Sequence, residues 1–230
     1  MCKSVPKLPQ SYTKKAQILP KTLQISGDNK SANECQNCRK VTAVNWPAPC
    51  PDAKQIMLPI FTPRLRLREF TMQDAPLVLA LLTDPDFIRN VSDRGVYTLQ
   101  DAGNYISRGP LASYAQHGIG LWCMERLEDD QPVGMCGLIR REGLADVDVG
   151  YTMLPTWRGL GYASEAAAAC VQYGLTQLQL PRVVGYINAD NLASARVLQK
   201  AGLHRCGPFD FPGSSVPTLL YSSEPATAQS

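Results

Sequence analysis

The segment of residues 157–169, WRGLGYASEAAAA, places two glycines between a strand-like run and a helical pattern. Residues 147–154 before it have strand character, and Pro155 ends them. Apolar residues after it recur at spacings of three and four over residues 163–178. A strand, a glycine-rich turn and a helix in this order aim free backbone N–H groups and the positive end of the helix dipole at one point. That point favours an anion, most obviously a pyrophosphate.

The glycines of this turn do not belong to either of two better-known phosphate motifs. A Walker loop needs Lys after its last glycine, where this chain has Tyr162. The dinucleotide fingerprint needs a third glycine three residues after the second, and this chain has Ser164 there. Gly159 and Gly161 would still let the backbone approach a ligand closely, because they lack a Cβ, and Arg158 offers a charge-assisted bond to a phosphate. The alternative is a tight strand-to-helix connection with no ligand.

Residues 1–56 differ in character from the rest of the chain. They carry nine Lys and Arg against three Asp and Glu, and the net charge of the whole chain is +3, so the remainder is net acidic. Their composition and lack of hydrophobic period are typical of disorder. We interpret residues 1–56 as a disordered basic leader, with translation from Met57 as the alternative. Residues 57–223 form the predicted domain, and residues 224–230 a disordered C-terminal tail.

Composition also bears on the partners and the location of the protein. No apolar run approaches the ~20 residues of a membrane span. Cys35, Cys38 and Cys50 make a poor zinc site because four ligands are needed. The leader offers charge to a nucleic acid but has almost no aromatic stacking residue except Tyr12 and Trp46. We therefore expect no membrane, no metal and no nucleic acid, and the scattered single cysteines of the body favour a cytoplasmic protein.

Strand and helix patterns alternate from residue 64 to residue 222. Alternating polarity predicts a strand over 64–70, and apolar runs bounded by turn residues predict strands over 119–127, 133–140, 146–154, 182–188, 204–209 and 218–222. Helices are predicted from capping residues and apolar spacing over 71–82, 98–116, 163–178 and 191–201. Asp84-Pro85 is expected to end the first of them. Several adjacent strands among the helices indicate an α+β fold around one central sheet.

Three stretches, in the same order and spacing, resemble the RimJ/RimL-like branch of the GNAT acetyltransferases. Residues 62–75 are similar to its T-x-R-L-x-L-R…D-A opening. Residues 147–166 are similar to its strand-plus-pyrophosphate segment, and within them residues 158–163, RGLGYA, resemble the R/Q-x-x-G-x-G/A signature of GNAT acyltransferases, which cradles the pyrophosphate of acetyl-CoA. Residues 188–203 are similar to N-x-x-S-x-x-x-L-x-K-x-G-F, with Leu203 for the Phe.

The resemblance implies the GNAT fold and acetyl-CoA as co-substrate, with no metal. In that fold a central, mixed and mostly antiparallel sheet is flanked by helices, and the strand ending near Leu154 splays away from the strand at 182–188. The pantetheine arm would enter this gap and pair with the backbone of Tyr151, Thr152 and Met153. The other implied cofactor-binding residues are Arg158, Gly159, Leu160, Gly161, Tyr162, Ala163, Ser164 and Asn191, the last of which is also a candidate N-cap.

The implied reaction transfers the acetyl group to a primary amine, of a protein N-terminus or a small molecule, by direct attack in a ternary complex. The amine must be neutral to attack, and a carboxylate can take its proton. Asp148 is the first candidate because the branch often has Glu at that position, and its alternative role is an ordinary solvent-facing strand residue. Glu125 is a weaker candidate. Ser194 matches the serine credited with assisting the leaving thiolate.

One departure from the family pattern keeps a second class of function open. Leu198 stands where many GNAT enzymes have a Tyr that protonates the thiolate. A non-catalytic acyl-CoA-binding or sensor module is therefore the alternative. The acceptor and the choice between monomer and homodimer are not determined by the sequence, and acceptor specificity is expected in residues 84–114 and 204–221.

Overall fold

An eight-stranded sheet forms the centre of the protein in the computed structural model, which describes residues 59–141, 144–211 and 216–224. Its strands are β1 (Ile60–Phe61), β2 (Leu65–Arg68), β3 (Leu121–Arg126), β4 (Pro132–Arg140), β5 (Val147–Met153), β6 (Val183–Asn188), β7 (His204–Phe209) and β8 (Thr218–Ser222). Their order is β1-β2-β3-β4-β5-β6-β8-β7. Neighbours are antiparallel except β5 and β6, which are parallel. The predicted mixed, mostly antiparallel sheet is confirmed.

The parallel pair β5 and β6 is joined only at its start. Val147 pairs with Val183 and Asp148 with Val184, and no later residues of the two strands pair. On its other side β5 stays paired with β4 as far as Met153. The predicted splayed pair of strands is therefore present, and one backbone edge of β5 faces a gap.

The helices flank this sheet and agree largely with the predicted segments. They are α1 (Ala75–Leu82), α2 (Pro85–Asn90), α3 (Leu99–Ile106), α4 (Ala112–His117), α5 (Tyr162–Thr176) and α6 (Leu192–Lys200). A π-helical turn, Ser107–Leu111, joins α3 to α4, so the helix predicted over 98–116 is one helical segment. Within the described residues no helix has the length and apolar character needed to cross a membrane.

Helix α2 was not predicted from the sequence. Asp84-Pro85 was interpreted as a helix stop, and α1 does end at Leu82. The same dipeptide also starts α2, because the Asp84 carboxylate accepts hydrogen bonds from the N–H groups of Asp86 and Phe87 at 3.1 and 3.2 Å. Pro85 takes the first helical position, where its missing N–H costs nothing.

Both faces of the sheet are covered by apolar side chains. Successive residues of a strand point to opposite faces, and Trp122 and Met124 of β3 pack in one cluster while Cys123 packs in the other. The first cluster contains residues of α5 and α6, and the second contains residues of α1 and α3. A polar residue of β5 is therefore not exposed to solvent merely because it lies on one particular face of the sheet.

Glu165, in the first turn of α5, ties this helix to the segment before β2. Its carboxylate accepts hydrogen bonds from the Thr62 hydroxyl at 2.6 Å, the Arg64 N–H at 2.9 Å and the Arg64 Nε at 2.7 Å. Burial favours the protonated carboxyl, but the bonds from Thr62 and Arg64 outweigh it and hold the pKa of Glu165 below its usual range. Residues about a hundred positions apart are joined by this carboxylate.

Replacing Glu165 by Gln should lower the free energy of unfolding at neutral pH by about 1–2 kcal/mol, since charge-assisted bonds to Thr62 and Arg64 are lost. Because the folded-state pKa is lowered, the contribution is present above the unfolded-state value of about 4.3 and is lost as pH falls through the lower folded-state value. Denaturant unfolding at several pH values measures it. Glu128→Gln, at a side chain 78% exposed, is the control, and an equal loss there would contradict the assignment.

Candidate active site

The turn between β5 and α5 has the open backbone that an anion requires. Gly159 and Gly161 adopt φ values of +79° and +87°, in the left-handed region that favours glycine. Glu165 donates its N–H to the carbonyl of Gly161 at 3.1 Å. The N–H groups of the three residues before Glu165 lie in the first turn of α5 and precede any intrahelical acceptor. The predicted strand, glycine turn and helix are confirmed as a structure.

The Arg158 guanidinium is held by groups that the sequence did not connect to it. Its Nη2 bonds to Asp84 Oδ1 at 2.5 Å and its Nη1 to Asp86 Oδ2 at 2.7 Å. Nε and Nη2 also bond to the carbonyl of Met153, at 3.3 and 3.2 Å. A phosphate would have to compete with two carboxylates for this side chain. In the structure Arg158 joins the glycine turn to the first turn of α2.

A second arginine, Arg64, lies beside the same turn. Its Nη1 donates to the carbonyl of Leu160 at 3.1 Å, and its guanidinium carbon lies 4.5 Å from the centre of the Tyr162 ring. A Cβ added to Gly161 would lie 3.4 Å from its Nη2. Arg64 was noted only as part of a strand motif, so its position here comes from the fold.

The alternation of the ladder determines which backbone groups of β5 face the gap. Leu154, directly after β5, donates its N–H to the carbonyl of Val133 in β4 at 3.0 Å. Groups two residues apart point the same way in an antiparallel strand, so the backbone of Thr152 points to β4, while those of Tyr151 and Met153 point to the gap. The Met153 carbonyl is bound by Arg158. Of the three predicted pantetheine-pairing residues, Tyr151 is the one with its whole backbone edge toward the gap.

A cavity of about 660 Å³ lies beside this gap. Five residues predicted from the sequence line it together: Asp148, Tyr151, Thr152, Asn191 and Ser194. Both predicted catalytic residues and three of the predicted cofactor residues are therefore brought to one place. The glycine turn does not line the cavity and lies beyond the C-terminal end of β5.

Asp148 is a buried carboxylate inside this cavity, and its side chain is only 2% exposed. Arg141 binds it, with Nε at 2.7 Å and Nη2 at 2.5 Å from Oδ2. Burial raises the pKa of Asp148, and the Arg141 guanidinium opposes that rise without cancelling it. The alternative of an ordinary solvent-facing strand residue is wrong, because the face of β5 that carries Asp148 is covered.

Tyr151 and Ser194 meet across the gap. The Tyr151 hydroxyl donates to the carbonyl of Ser194 at 3.0 Å, and burial raises the pKa of that hydroxyl above its ordinary value. Asn191 is the N-cap of α6 and accepts the Ser194 N–H at 3.0 Å, as its alternative role required. Leu198 is fully buried in the core. The sequence pointed to the backbone of Tyr151, and its side chain was missed.

Glu125, the weaker candidate for a base, does not line the cavity described above. Its carboxylate accepts two bonds from Arg66, at 2.9 and 2.6 Å, and one from Arg68 at 2.6 Å. Arg68 also bonds to both oxygens of Asp74, which receives the Thr71 N–H at the start of the first helical segment. Glu125 thus belongs to a structural ion cluster.

The described part of the chain contains no group of three or more His, Cys, Asp or Glu side chains arranged to hold a metal ion. The arrangement it does contain suits an elongated ligand, anionic at the glycine turn and neutral along the gap. At the inner end of that path, the buried carboxylate of Asp148 lines one cavity with several hydroxyl-bearing residues, among them Tyr151 and Ser194. Such groups can accept a proton and stabilise a leaving anion.

Comparisons with known proteins identify the family of the chain and proteins of similar fold. Residues 64–204 match the family model of the acetyltransferase (GNAT) domain. The chain is 31% identical to YoaA, an uncharacterized N-acetyltransferase of Bacillus subtilis, over 156 residues that cover 66% of this chain and 86% of YoaA. A GNAT-family acetyltransferase from Bacillus anthracis has a similar structure, with a TM-score of 0.61 at 25% identity, over 72% of this chain and 97% of that one.

The fold is also similar to that of RimL, a ribosomal L7/L12 alpha-N-protein acetyltransferase whose structure is a complex with coenzyme A. The TM-score is 0.62 at 15% identity, and the match covers 72% of this chain and 97% of that chain.

Proposed function

The chain belongs to the GNAT acetyltransferase family and is an acetyl-CoA-dependent acyltransferase, and we propose that its acceptor is a primary amine, of a protein N-terminus or a small molecule. The observation that carries the proposal is the meeting of Asp148 and Ser194 in one cavity beside the β5–β6 gap. The three sequence motifs support membership of the RimJ/RimL-like branch. Cys123, Cys136 and Cys170 are buried thiols that form no disulfide bond in the described residues, which supports a cytoplasmic location.

Acetyl-CoA would bind along the path from the glycine turn to the cavity. Its pyrophosphate would accept hydrogen bonds from the N–H groups of residues 159–164, at the positive end of α5. The pantetheine arm would extend β5 at the edge of Tyr151 and Met153, as an added strand does. The Asn191 side-chain amide caps α6 through its oxygen, and its NH₂ group, which has no acceptor among the described residues, would donate to the pantetheine arm.

The chemical step would be attack of the amine nitrogen on the thioester carbonyl carbon in a ternary complex. A C–N bond forms, the C–S bond breaks, and Asp148 takes the proton that the nitrogen loses, directly or through water. Its raised pKa makes Asp148 a stronger base than a surface Asp, while Arg141 favours the ionised form that can act as a base. The N–H of Tyr151 or Met153 would polarise the carbonyl.

The leaving thiolate needs less help than an alkoxide, because an ordinary thiol has a pKa near 8.5. Ser194 lines the cavity and is assigned to hydrogen-bond the thiolate. The Tyr151 hydroxyl lies in the same place, but its single hydrogen is donated to the Ser194 carbonyl, so it would have to leave that carbonyl to bond to the thiolate. Leu198 has no hydrogen-bond donor in its side chain, so this position cannot protonate the thiolate as the tyrosine of many GNAT enzymes does.

A Gly161→Glu variant should show no saturable binding of acetyl-CoA by calorimetry, whereas the wild type should bind. The new carboxylate would lie at the anion position beside Arg64 and would repel the pyrophosphate. Gly202→Glu is a matched control, because Gly202 has φ +89° and open space around a Cβ, so it carries a similar strain of about 1–2 kcal/mol. If Gly161→Glu bound acetyl-CoA with unchanged affinity, the pyrophosphate would not lie at this turn. If the folded wild type did not bind acetyl-CoA, the proposed function would be refuted.

An Asp148→Asn variant should lose about 10²–10⁴-fold in kcat/KM while it keeps its affinity for acetyl-CoA. The wild-type pH profile should rise with the ionisation of Asp148, at a pKa above the ordinary value of about 3.9, and this acid limb should vanish in the variant. Asp146→Asn is the control, since Asp146 binds Arg182 outside the cavity. An unchanged acid limb in Asp148→Asn would assign the base to another group.

Replacing Ser194 by Ala should lower kcat roughly 10- to 100-fold, the equivalent of one hydrogen bond to a charged atom. Tyr151→Phe removes the neighbouring hydroxyl alone and should change kcat by less than about threefold. Initial rates at saturating acetyl-CoA give both numbers. The opposite order would transfer the assignment from Ser194 to Tyr151.

The non-catalytic acyl-CoA-binding module is the second candidate, and the buried Leu198 is the observation that favours it. Release of free CoA thiol from acetyl-CoA that requires an added primary amine would exclude this alternative. Saturable binding without thiol release for any amine, including N-terminal peptides, would support it.

A further inference from the structure

A second cavity, of about 430 Å³, adjoins the one that holds Asp148. The two cavities share Arg94 and Tyr105 in their linings, and the second is also lined by Asn104 and Arg108. A ligand in the first cavity would therefore lie next to residues that also line the second. Each volume falls in the range of small-molecule sites, which are roughly 300–1,000 Å³.

Two guanidinium groups in the second cavity are not neutralised by the described part of the chain. Arg94 and Arg108 make no ion pair or hydrogen bond there, in contrast to Arg141, which binds Asp148, and Arg89, which binds Asp86 at 2.6 Å. The nearby carboxylates already have partners.

Those carboxylates are Asp101 and Asp93. Asp101 accepts from the N–H and hydroxyl of Thr98 at the cap of α3. Asp93 accepts from the Gly95 N–H and the Tyr97 hydroxyl. These donors are neutral, so both carboxylates keep their negative charge. The lining of the second cavity holds two arginines, Arg94 and Arg108, and one carboxylate, Asp101, so it presents a net charge of +1 to a ligand.

Tyr105 lines both cavities, together with Arg94. Burial raises the pKa of the Tyr105 hydroxyl, and the charges of Arg94 and Arg141 oppose the rise, so both guanidinium groups lie near this residue. Arg141 is bound to Asp148 in the first cavity, whereas Arg94 has no ion-pair partner among the described residues. A ligand in contact with Tyr105 would therefore lie near both the candidate base and an arginine that is free to bind an anion.

The first cavity, which Tyr105 lines, also has apolar side chains in its lining. Ile88 and Met135 line it, together with Tyr186, whose ring lies 4.8 Å from Phe209 and 5.3 Å from Phe211 between centroids. Aromatic and aliphatic side chains of this kind favour an apolar body between the two polar ends of a ligand.

We propose that the acceptor is a small anionic amine, with its amino group at Asp148, an apolar or aromatic body against Tyr105 and Tyr186, and a carboxylate or phosphate at Arg94 and Arg108. The inference rests on the proposed function, because the amino group is the atom acetylated. Arg94 and Arg108 bind and position the acceptor and take no part in the transfer. An arginine suits either anion because its planar donors match both.

The test compares amines that differ only in the anion: tyramine phosphate against tyramine, and ε-aminocaproate against hexylamine. Wild-type protein should prefer at least one anionic member by about 10- to 100-fold in kcat/KM. A preference for the anion in the first pair alone would identify the anionic group of the acceptor as a phosphate. A preference in the second pair alone would identify it as a carboxylate. In Arg94→Gln this ratio should fall toward one, and in Arg108→Gln it should fall in part. Arg196→Gln, which removes an equal charge from the exposed side of α6, should keep the ratio.

The inference would be overturned if the wild type acetylated the neutral amines with an equal or higher kcat/KM. It would also be overturned if Arg94→Gln left the ratio of kcat/KM between anionic and neutral amines unchanged. Either result would leave the proposed function standing. Calorimetric titration of the same amines separates binding from transfer. Tighter binding of an anionic amine by the wild type but not by Arg94→Gln, without thiol release, would support the anion site and overturn the acetyl transfer. If the wild type neither acetylates the anionic amines nor binds them in preference to the neutral ones, the inferred acceptor class is wrong.

Discussion

The incomplete ladder between β5 and β6 is the feature on which the rest of the site depends. After Asp148 and Val184 the strands separate, so the backbone groups on one edge of β5 have no strand partner. Buried backbone groups require hydrogen bonds, and a chain that enters the gap as an extra strand would supply them. The same separation opens the cavity in which Asp148, Tyr151 and Ser194 meet. If β5 and β6 were paired along their whole length, both the gap at the edge of β5 and the cavity would be closed.

Arginine–carboxylate contacts hold the parts of the site relative to one another. Glu165 and Arg64 attach the start of α5 to the segment before β2, and Arg158 attaches the glycine turn to Asp84 at the start of α2. Helix α2 and the residues after it line the cavity. The turn proposed for the cofactor and the wall proposed for the acceptor are therefore linked through one guanidinium, whose partial burial strengthens the bonds relative to a surface pair.

Local patterns in the sequence predicted most of the fold, and the failures have physical causes. Seven of the eight strands in the described residues and the glycine turn follow from alternation, apolar runs and turn chemistry, whereas β1 is too short to show a pattern. Helix α2 was missed because Asp84-Pro85 is both a stop and a start. The solvent-facing alternative for Asp148 assumed one covered face, but helices pack on both faces of this sheet. The predictions for residues 1–56, for Met57 as a start and for the C-terminal tail from residue 225 lie outside the described residues and stay predictions.

The sequence by itself determined the local elements: the left-handed glycines of the turn, the caps of the helices and the strand polarity, because these depend on residues a few positions apart. It also pointed to Asp148 and Ser194 through the family motifs. The tertiary structure alone decided which side chains share a cavity or a bond, including Arg158 with Asp84, Tyr151 with Ser194, and Arg94 with Tyr105. Such contacts depend on the order of strands across the sheet and on where two of them part, and no local pattern encodes either.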